Sequence, residues 1–200
     1  MPLRDAMEIL REHRAAGDVM ITSMGSAREW IAMSGGAMDP LDFVFVPSSM
    51  GQAPSLALGV ALAQPGRRVF ACNGDGSTLM NLGALVTISA ECPPNLVLII
   101  LDNGVYEVTG AQPTPGSASG RPDQRGVDFA EIARACGWLS VYRFNELDDW
   151  RECAAEAISS AGPVLIVLEV APIPGAVGPK SPGPTIGRAQ SFREALSSPK

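Results

Sequence analysis

The run Leu96-Val97-Leu98-Ile99-Ile100-Leu101 constrains this chain most. It is the most apolar stretch of the sequence and it ends abruptly in Asp102-Asn103-Gly104. A strand buried on both faces reads this way, and such strands lie at the centre of sheets whose faces are both covered by helices. Further apolar runs at 19–22, 43–46, 69–72, 139–143 and 164–170 alternate with helical patterns at 3–15, from 28 onward, 52–63, 78–90, 129–136 and 148–160. This alternation predicts an α/β domain: a doubly wound, mostly parallel sheet with helices on both faces. The domain is expected to occupy residues 1–172, followed by a Pro/Gly-rich tail over 173–200 in which 191–196 form a last turn of helix. Residues 107–126, rich in Gly, Pro, Ser and Thr, read as a long loop, expected to be a lid or substrate-facing segment that orders when a ligand binds, the alternative being a plain surface excursion.

Composition removes several function classes. Two hundred residues suffice for one sizeable core. The net charge is -6 with no basic cluster, which excludes nucleic acid as an expected partner. Apolar residues make up 46%, yet no run approaches the roughly 20 residues that span a membrane. The start, Met1-Pro2-Leu3-Arg4-Asp5-Ala6, has an early acid and does not read as a signal peptide. Cys72, Cys92, Cys136 and Cys153 are scattered without a Cys-x-x-Cys pair, so buried, reduced thiols in a cytoplasmic protein are expected.

Two polar turns carry the chemistry. Gly74-Asp75-Gly76-Ser77 follows the run ending at Cys72, and Asp102-Asn103-Gly104-Val105-Tyr106 follows Leu101. Ligands of open parallel sheets sit beyond the carboxyl ends of the strands, so both turns reach one crevice. Asp75 offers a carboxylate oxygen and Asn103 an amide oxygen, hard donors suited to magnesium. The glycines let backbone N–H groups approach a phosphate. A metal-bridged diphosphate needs both features. A third segment, Pro47-Ser48-Ser49-Met50-Gly51, lies between the run at 43–46 and the helix from 52.

The two turns resemble the metal-diphosphate motif of thiamine diphosphate (ThDP) enzymes, Gly-Asp-Gly followed after a few tens of residues by Asn-Asn. The resemblance implies that Asp75, Asn103 and the carbonyl of Val105 hold magnesium, with Asp102 in place of the first asparagine. It also implies that Gly74, Gly76 and Ser77 face the diphosphate, where the start of the helix favours negative charge. Tyr106 either packs near the thiazolium ring or is a plain strand-end aromatic. The segment Ser48, Ser49, Met50, Gly51 resembles the Gly-Ser-Met-Gly stretch set against the aminopyrimidine ring. There Met50 would force the bent cofactor conformation and the Ser48 carbonyl would accept a hydrogen bond from the exocyclic amino group. Met50 and Ser48 are therefore the catalytic candidates.

In this family the cofactor supplies the difficult chemistry, and the protein supplies geometry and charge. A glutamate that protonates the aminopyrimidine sits on a separate pyrimidine-binding domain. Glu29, Glu91 and Glu107 read instead as solvated surface, and His13 as surface or interface. The resemblance thus implies one half of a split enzyme: a hetero-oligomer with a pyrimidine-domain subunit, with self-association as well. Tyr106-Glu107-Val108-Thr109-Gly110-Ala111-Gln112-Pro113-Thr114 and Ser181-Pro182-Gly183-Pro184-Thr185 resemble segments of sulfopyruvate and phosphonopyruvate decarboxylases. A carboxy-lyase acting on such 2-oxo acids is expected, with Arg121 and Arg125 as candidates for the anionic tail. The alternatives are the β subunit of a 2-oxoacid:ferredoxin oxidoreductase, disfavoured by the ungrouped cysteines, and a non-catalytic ThDP-binding module.

Overall fold

A computed structural model describes residues 1–35, 37–46, 49–118 and 125–198. Six parallel strands form one sheet. They are β1 (Val19–Ser23), β2 (Asp42–Phe45), β3 (Val69–Gly74), β4 (Leu96–Asp102), β7 (Ser140–Phe144) and β8 (Val164–Glu169), in the spatial order β2-β1-β3-β4-β8-β7. The run at 96–101 is central, paired with β3 on one side and β8 on the other, and fully buried. Side chains of the central strands must then face one of two helical layers.

Alternation along each strand sorts the core. Val69 and Ala71, Leu96, Leu98 and Ile100, and Leu165 and Val167 face the layer of α3 (Ala53–Ala63), α5 (Gly83–Glu91), α6 (Phe129–Ala135) and α8 (Thr185–Ser197). Phe70 and Cys72, Val97, Ile99 and Leu101, and Ile166 and Leu168 face α1 (Leu3–Glu12), α2 (Met24–Met33) and α7 (Leu147–Ser159). The fully buried Trp150 of α7 donates its indole N–H to the Ala6 carbonyl of α1 at 3.0 Å, tying that layer together. The doubly wound architecture is as expected.

Several elements differ from the sequence reading. α2 begins at Met24, directly after β1, because Ser23 and Ser26 form a capping box there. The helix expected over 78–90 is two pieces, a short α4 (Asp75–Leu79) and α5, separated at Met80-Asn81-Leu82. The segment after Tyr106 is no open loop. Val105–Tyr106 (β5) pairs antiparallel with Gln112–Pro113 (β6) across a 3-10 turn at Glu107–Thr109. The lid expectation over 119–124 lies outside the described residues.

The last turn of helix expected at 191–196 is instead the thirteen-residue α8. Its Phe192 packs at a tilt against Phe43 of β2 with ring centroids 4.8 Å apart, and Arg188 donates to the carbonyls of Val44 and Val46. Of the cysteines, Cys72 is buried, where burial pushes its thiol up to about 12, while Cys92 is exposed, and no disulfide forms. Among the described residues no helix is long and apolar enough to cross a membrane.

Candidate functional site

The strand order creates a switch point between β1 and β3, whose outgoing connections run to opposite sides of the sheet. A crevice opens beyond the carboxyl ends at such a point. Here it is a cleft walled by Ser23–Ser26, Gly74–Ser77 and the segment from Asn103 to Thr109, with Met50 at one side. Both polar turns singled out in the sequence meet in it. The Ser23–Ser26 wall was missed. Its signal was the small-residue run Ser23-Met24-Gly25-Ser26 at the end of a strand, where Met24 adopts φ 51°.

Asp75 is only 2% exposed, and its Oδ2 accepts a hydrogen bond from the Thr114 hydroxyl at 3.0 Å. Burial raises its pKa, opposed by that bond and by the backbone N–H groups of Gly76 and Asn103. Asp102 lies close enough to feel it. Burial, then Asp75, then Glu169 push the Asp102 carboxyl up to about 6. Asn103 uses its Oδ1 to accept from the Val105 N–H at 3.0 Å and its Nδ2 to donate to Glu107 at 3.2 Å. The Thr114 N–H donates to the Gly104 carbonyl, so the adjacent pair, Val105 and Pro113, is a non-hydrogen-bonded one. The Val105 peptide groups therefore point out of the hairpin, away from β6.

The residues fit a metal-bridged diphosphate. One carboxylate, one amide oxygen and an outward carbonyl are hard donors that leave coordination positions for phosphate oxygens. Among the described residues no cluster of three His, Cys, Asp or Glu stands ready to hold a metal, and no Lys, Arg or His lines the cleft. An anion entering between Asp75 and Glu107 therefore needs a cation of its own. Gly74 lines the cleft, and a Cβ built there meets nothing within 4 Å, so its place in the wall is open space.

The other predicted residues take different places. At Gly76 a Cβ would approach Tyr106 Cε1 to 2.4 Å, so the Tyr106 ring lies flush on this glycine and both line the cleft. The Ser77 hydroxyl is spent internally, accepting from the Gly51 N–H at 2.7 Å and donating to Asn73 at 2.8 Å. Gly51, at φ +86°, is thereby fastened behind the cleft, and Met50 beside it lines the cleft wall. Ser49 is exposed and outside the lining. Ser48 and Arg121 lie outside the described residues, and Arg125 faces a different groove with Asp128 and Arg143. The five-residue α4 carries little macrodipole, and the Gly76 N–H in its first turn is engaged by the Asp75 carboxylate.

Two glutamates correct the expectation of solvated surface. The Glu107 side chain is 7% exposed and pairs with Arg28 at 3.1 Å, while Glu29 is 9% exposed and pairs with the same arginine at 3.0 Å. Glu91 is exposed as expected.

The fold and the cleft define a class: a doubly wound domain whose switch point presents oxygen donors and glycines suited to a metal-bridged diphosphate. The chain belongs to the thiamine pyrophosphate enzyme family, matching its C-terminal TPP binding domain over residues 23–168. It is 39% identical over 164 residues to a phosphonopyruvate decarboxylase of Streptomyces hygroscopicus, covering 82% of this chain and 38% of that protein. It is 40% identical over 128 residues to the sulfopyruvate decarboxylase subunit beta of Methanothermobacter thermautotrophicus, covering 64% of this chain and 62% of that one. The chain thus spans less than two thirds of these relatives. A solved candidate thiamin diphosphate-dependent enzyme from Mycobacterium smegmatis shares the fold, with a TM-score of 0.70 at 22% identity, covering 86% of this chain and 32% of that one.

Proposed function

We propose that this chain is the cofactor-binding subunit of a split ThDP-dependent 2-oxoacid decarboxylase of the sulfopyruvate or phosphonopyruvate type. The observation that carries it is that Asp75, Asn103 and Val105 line one switch-point cleft beside the open wall at Gly74. Relatives named as phosphonopyruvate decarboxylase and as sulfopyruvate decarboxylase subunit beta support the reaction class and a second subunit.

In this reading Asp75, Asn103 and the Val105 carbonyl hold magnesium. Gly74 and Gly76 let the backbone approach the diphosphate, and Met50 bears on the aminopyrimidine. The bound cofactor supplies an electron sink for the carbanion left by loss of carbon dioxide. The chain's own residues do the positioning. Tyr106, seated on Gly76, shields one wall from water, and the Ser77–Gly51 bond fixes the turn that carries Met50. The cleft's described lining has no cation, so the group that recognises a sulfonate or phosphonate tail comes from elsewhere, the partner subunit foremost.

The reading is tested by an aldehyde-release assay with ThDP, magnesium and a panel of 2-oxo acids, on this chain alone and mixed with a candidate pyrimidine-domain subunit. Turnover of a 3-sulfo- or 3-phosphono-2-oxo acid only in the mixture is expected. Robust turnover by this chain alone contradicts the split-enzyme reading, and a preference for an uncharged 2-oxo acid contradicts the substrate class.

A further inference from the structure

The Glu107 carboxylate is a meeting point of three segments that are remote in sequence. Its Oε1 accepts from Asn103 Nδ2 at 3.2 Å and from the Ile173 N–H at 2.8 Å. Its Oε2 accepts from Arg28 Nη2 at 3.1 Å and lies against Gly25, where a Cβ would sit 3.4 Å away. Arg28 in turn donates through Nε to Glu29 and through Nη1 to the Val177 carbonyl. The β1–α2 turn, the metal turn and the strap after β8 thus converge on one carboxylate with 7% exposure.

The chemistry of an asparagine ligand makes this arrangement consequential. A side-chain amide carries an oxygen on one branch and an NH₂ on the other, and only the oxygen can bind a cation. Rotation by half a turn about the last bond exchanges them at small steric cost. At Asn103 two groups decide the matter. The Val105 N–H donates, so it demands the oxygen on its side. An ionised Glu107 only accepts, so it demands the NH₂ on its side. In the reversed orientation two donors would face each other, as would two acceptors. Both groups demand the same orientation, and Glu107 adds a carboxylate acceptor to the backbone donor. It is itself held by Arg28 and by the Ile173 N–H, neither of which leaves it free to swing away.

We propose that Glu107 is the positioning residue of the metal site: it fixes the Asn103 amide with its oxygen toward the cation, and it fastens the strap from Ile173 to the same turn. This rests on the reading of the cleft as a ThDP–magnesium site. Outer partners of metal ligands typically change metal affinity by about 10- to 100-fold when removed. Glu107 acts through Asn103, so its effect belongs to magnesium affinity and disappears when Asn103 is gone.

Two near-isosteric variants of the full chain separate acceptor from bulk. Glu107→Gln keeps an oxygen for Asn103 and Ile173. Glu107→Met keeps the volume against Gly25 and offers no comparable acceptor. Magnesium is titrated at fixed ThDP with binding followed by calorimetry, and unfolding temperature is recorded without ligand. The magnesium requirement is expected to rise about tenfold or more in Glu107→Met and no more than about threefold in Glu107→Gln. In an Asn103→Ala background, Glu107→Met is expected to add nothing further. If Glu107→Met alone does not fold, Arg28→Met/Glu107→Met removes both charges together and is read in the same way. An unchanged magnesium requirement in the Met variants, an equal rise in the Gln and Met variants, or the same fold-change with and without Asn103 overturns the positioning role. Wild-type chain that shows no magnesium-dependent ThDP binding overturns the reading of the site and this inference with it, an outcome distinct from the others.

Discussion

At the residue scale the cleft is built from groups whose ionised or bulky forms are tolerated only for what they face. Gly76 is the sharpest case, because a methyl there collides with the Tyr106 ring at 2.4 Å. Gly76→Ala is expected to displace that ring into the cleft and raise the ThDP dissociation constant at least about tenfold, with overpacking lowering stability by only about 1–3 kcal/mol. Titration and thermal unfolding check the two numbers separately. Asp102 gives the pH prediction. Its pKa is raised to about 6, so its protonated form favours the fold. The associated stability is fully present below the unfolded value near 4 and is lost as pH rises through about 6. Asp102→Asn should therefore stabilise the ligand-free chain at pH 7.5 by about 1–2 kcal/mol after solvent screening, and change it little at pH 4. Unfolding curves at the two pH values test this, and equal effects at both would contradict it. The burial of Glu107 was not legible in sequence, since its partner Arg28 lies 79 positions away and only the fold brings the two together, Glu29 being buried with the same arginine.

At the element scale the strands were readable because a parallel sheet covered on both faces writes continuous apolar runs into the sequence. The 105–113 hairpin was not, because its strands are two residues each and one ends in Pro113. Local pattern cannot announce so short a pairing. Its order comes from the Thr114 N–H on the Gly104 carbonyl and the Thr114 hydroxyl on Asp75. Helix α8 was hidden for the opposite reason. Pro182, Gly183 and Pro184 ahead of it and Gly187 within it read as a tail, and the helix is stabilised by tertiary contacts rather than propensity. Arg188 spans the carbonyls of Val44 and Val46 at the end of β2, immediately before the segment that leads to Met50. Arg188→Ala should lower stability by on the order of 1 kcal/mol, discounted because the side chain is partly exposed. It should leave the magnesium requirement for ThDP unchanged, since none of the proposed metal ligands lies on β2 or α8. A shift in that requirement would show that α8 reaches the site.

At the scale of the whole molecule, fold and cleft follow from one arrangement. The strand order places the switch point between β1 and β3, and the two polar turns found in the sequence lie at the ends of β3 and β4, on its rim. The sequence revealed Asp75 and Asn103 because their turns directly end strands, and it missed the Ser23–Ser26 wall because small residues after a strand are ordinary turn chemistry. The central claim is that this cleft binds ThDP through a divalent cation held by Asp75. The most direct measurement is a calorimetric titration of wild-type chain and Asp75→Ala with ThDP, each with magnesium and with excess chelator. Unfolding temperatures of both ligand-free chains are recorded alongside, because the variant also leaves the buried Thr114 hydroxyl without its Asp75 acceptor. Wild type should bind only with magnesium, and the variant should not bind under either condition. Binding by Asp75→Ala as tight as wild type, or wild-type binding indifferent to chelator, would contradict the account.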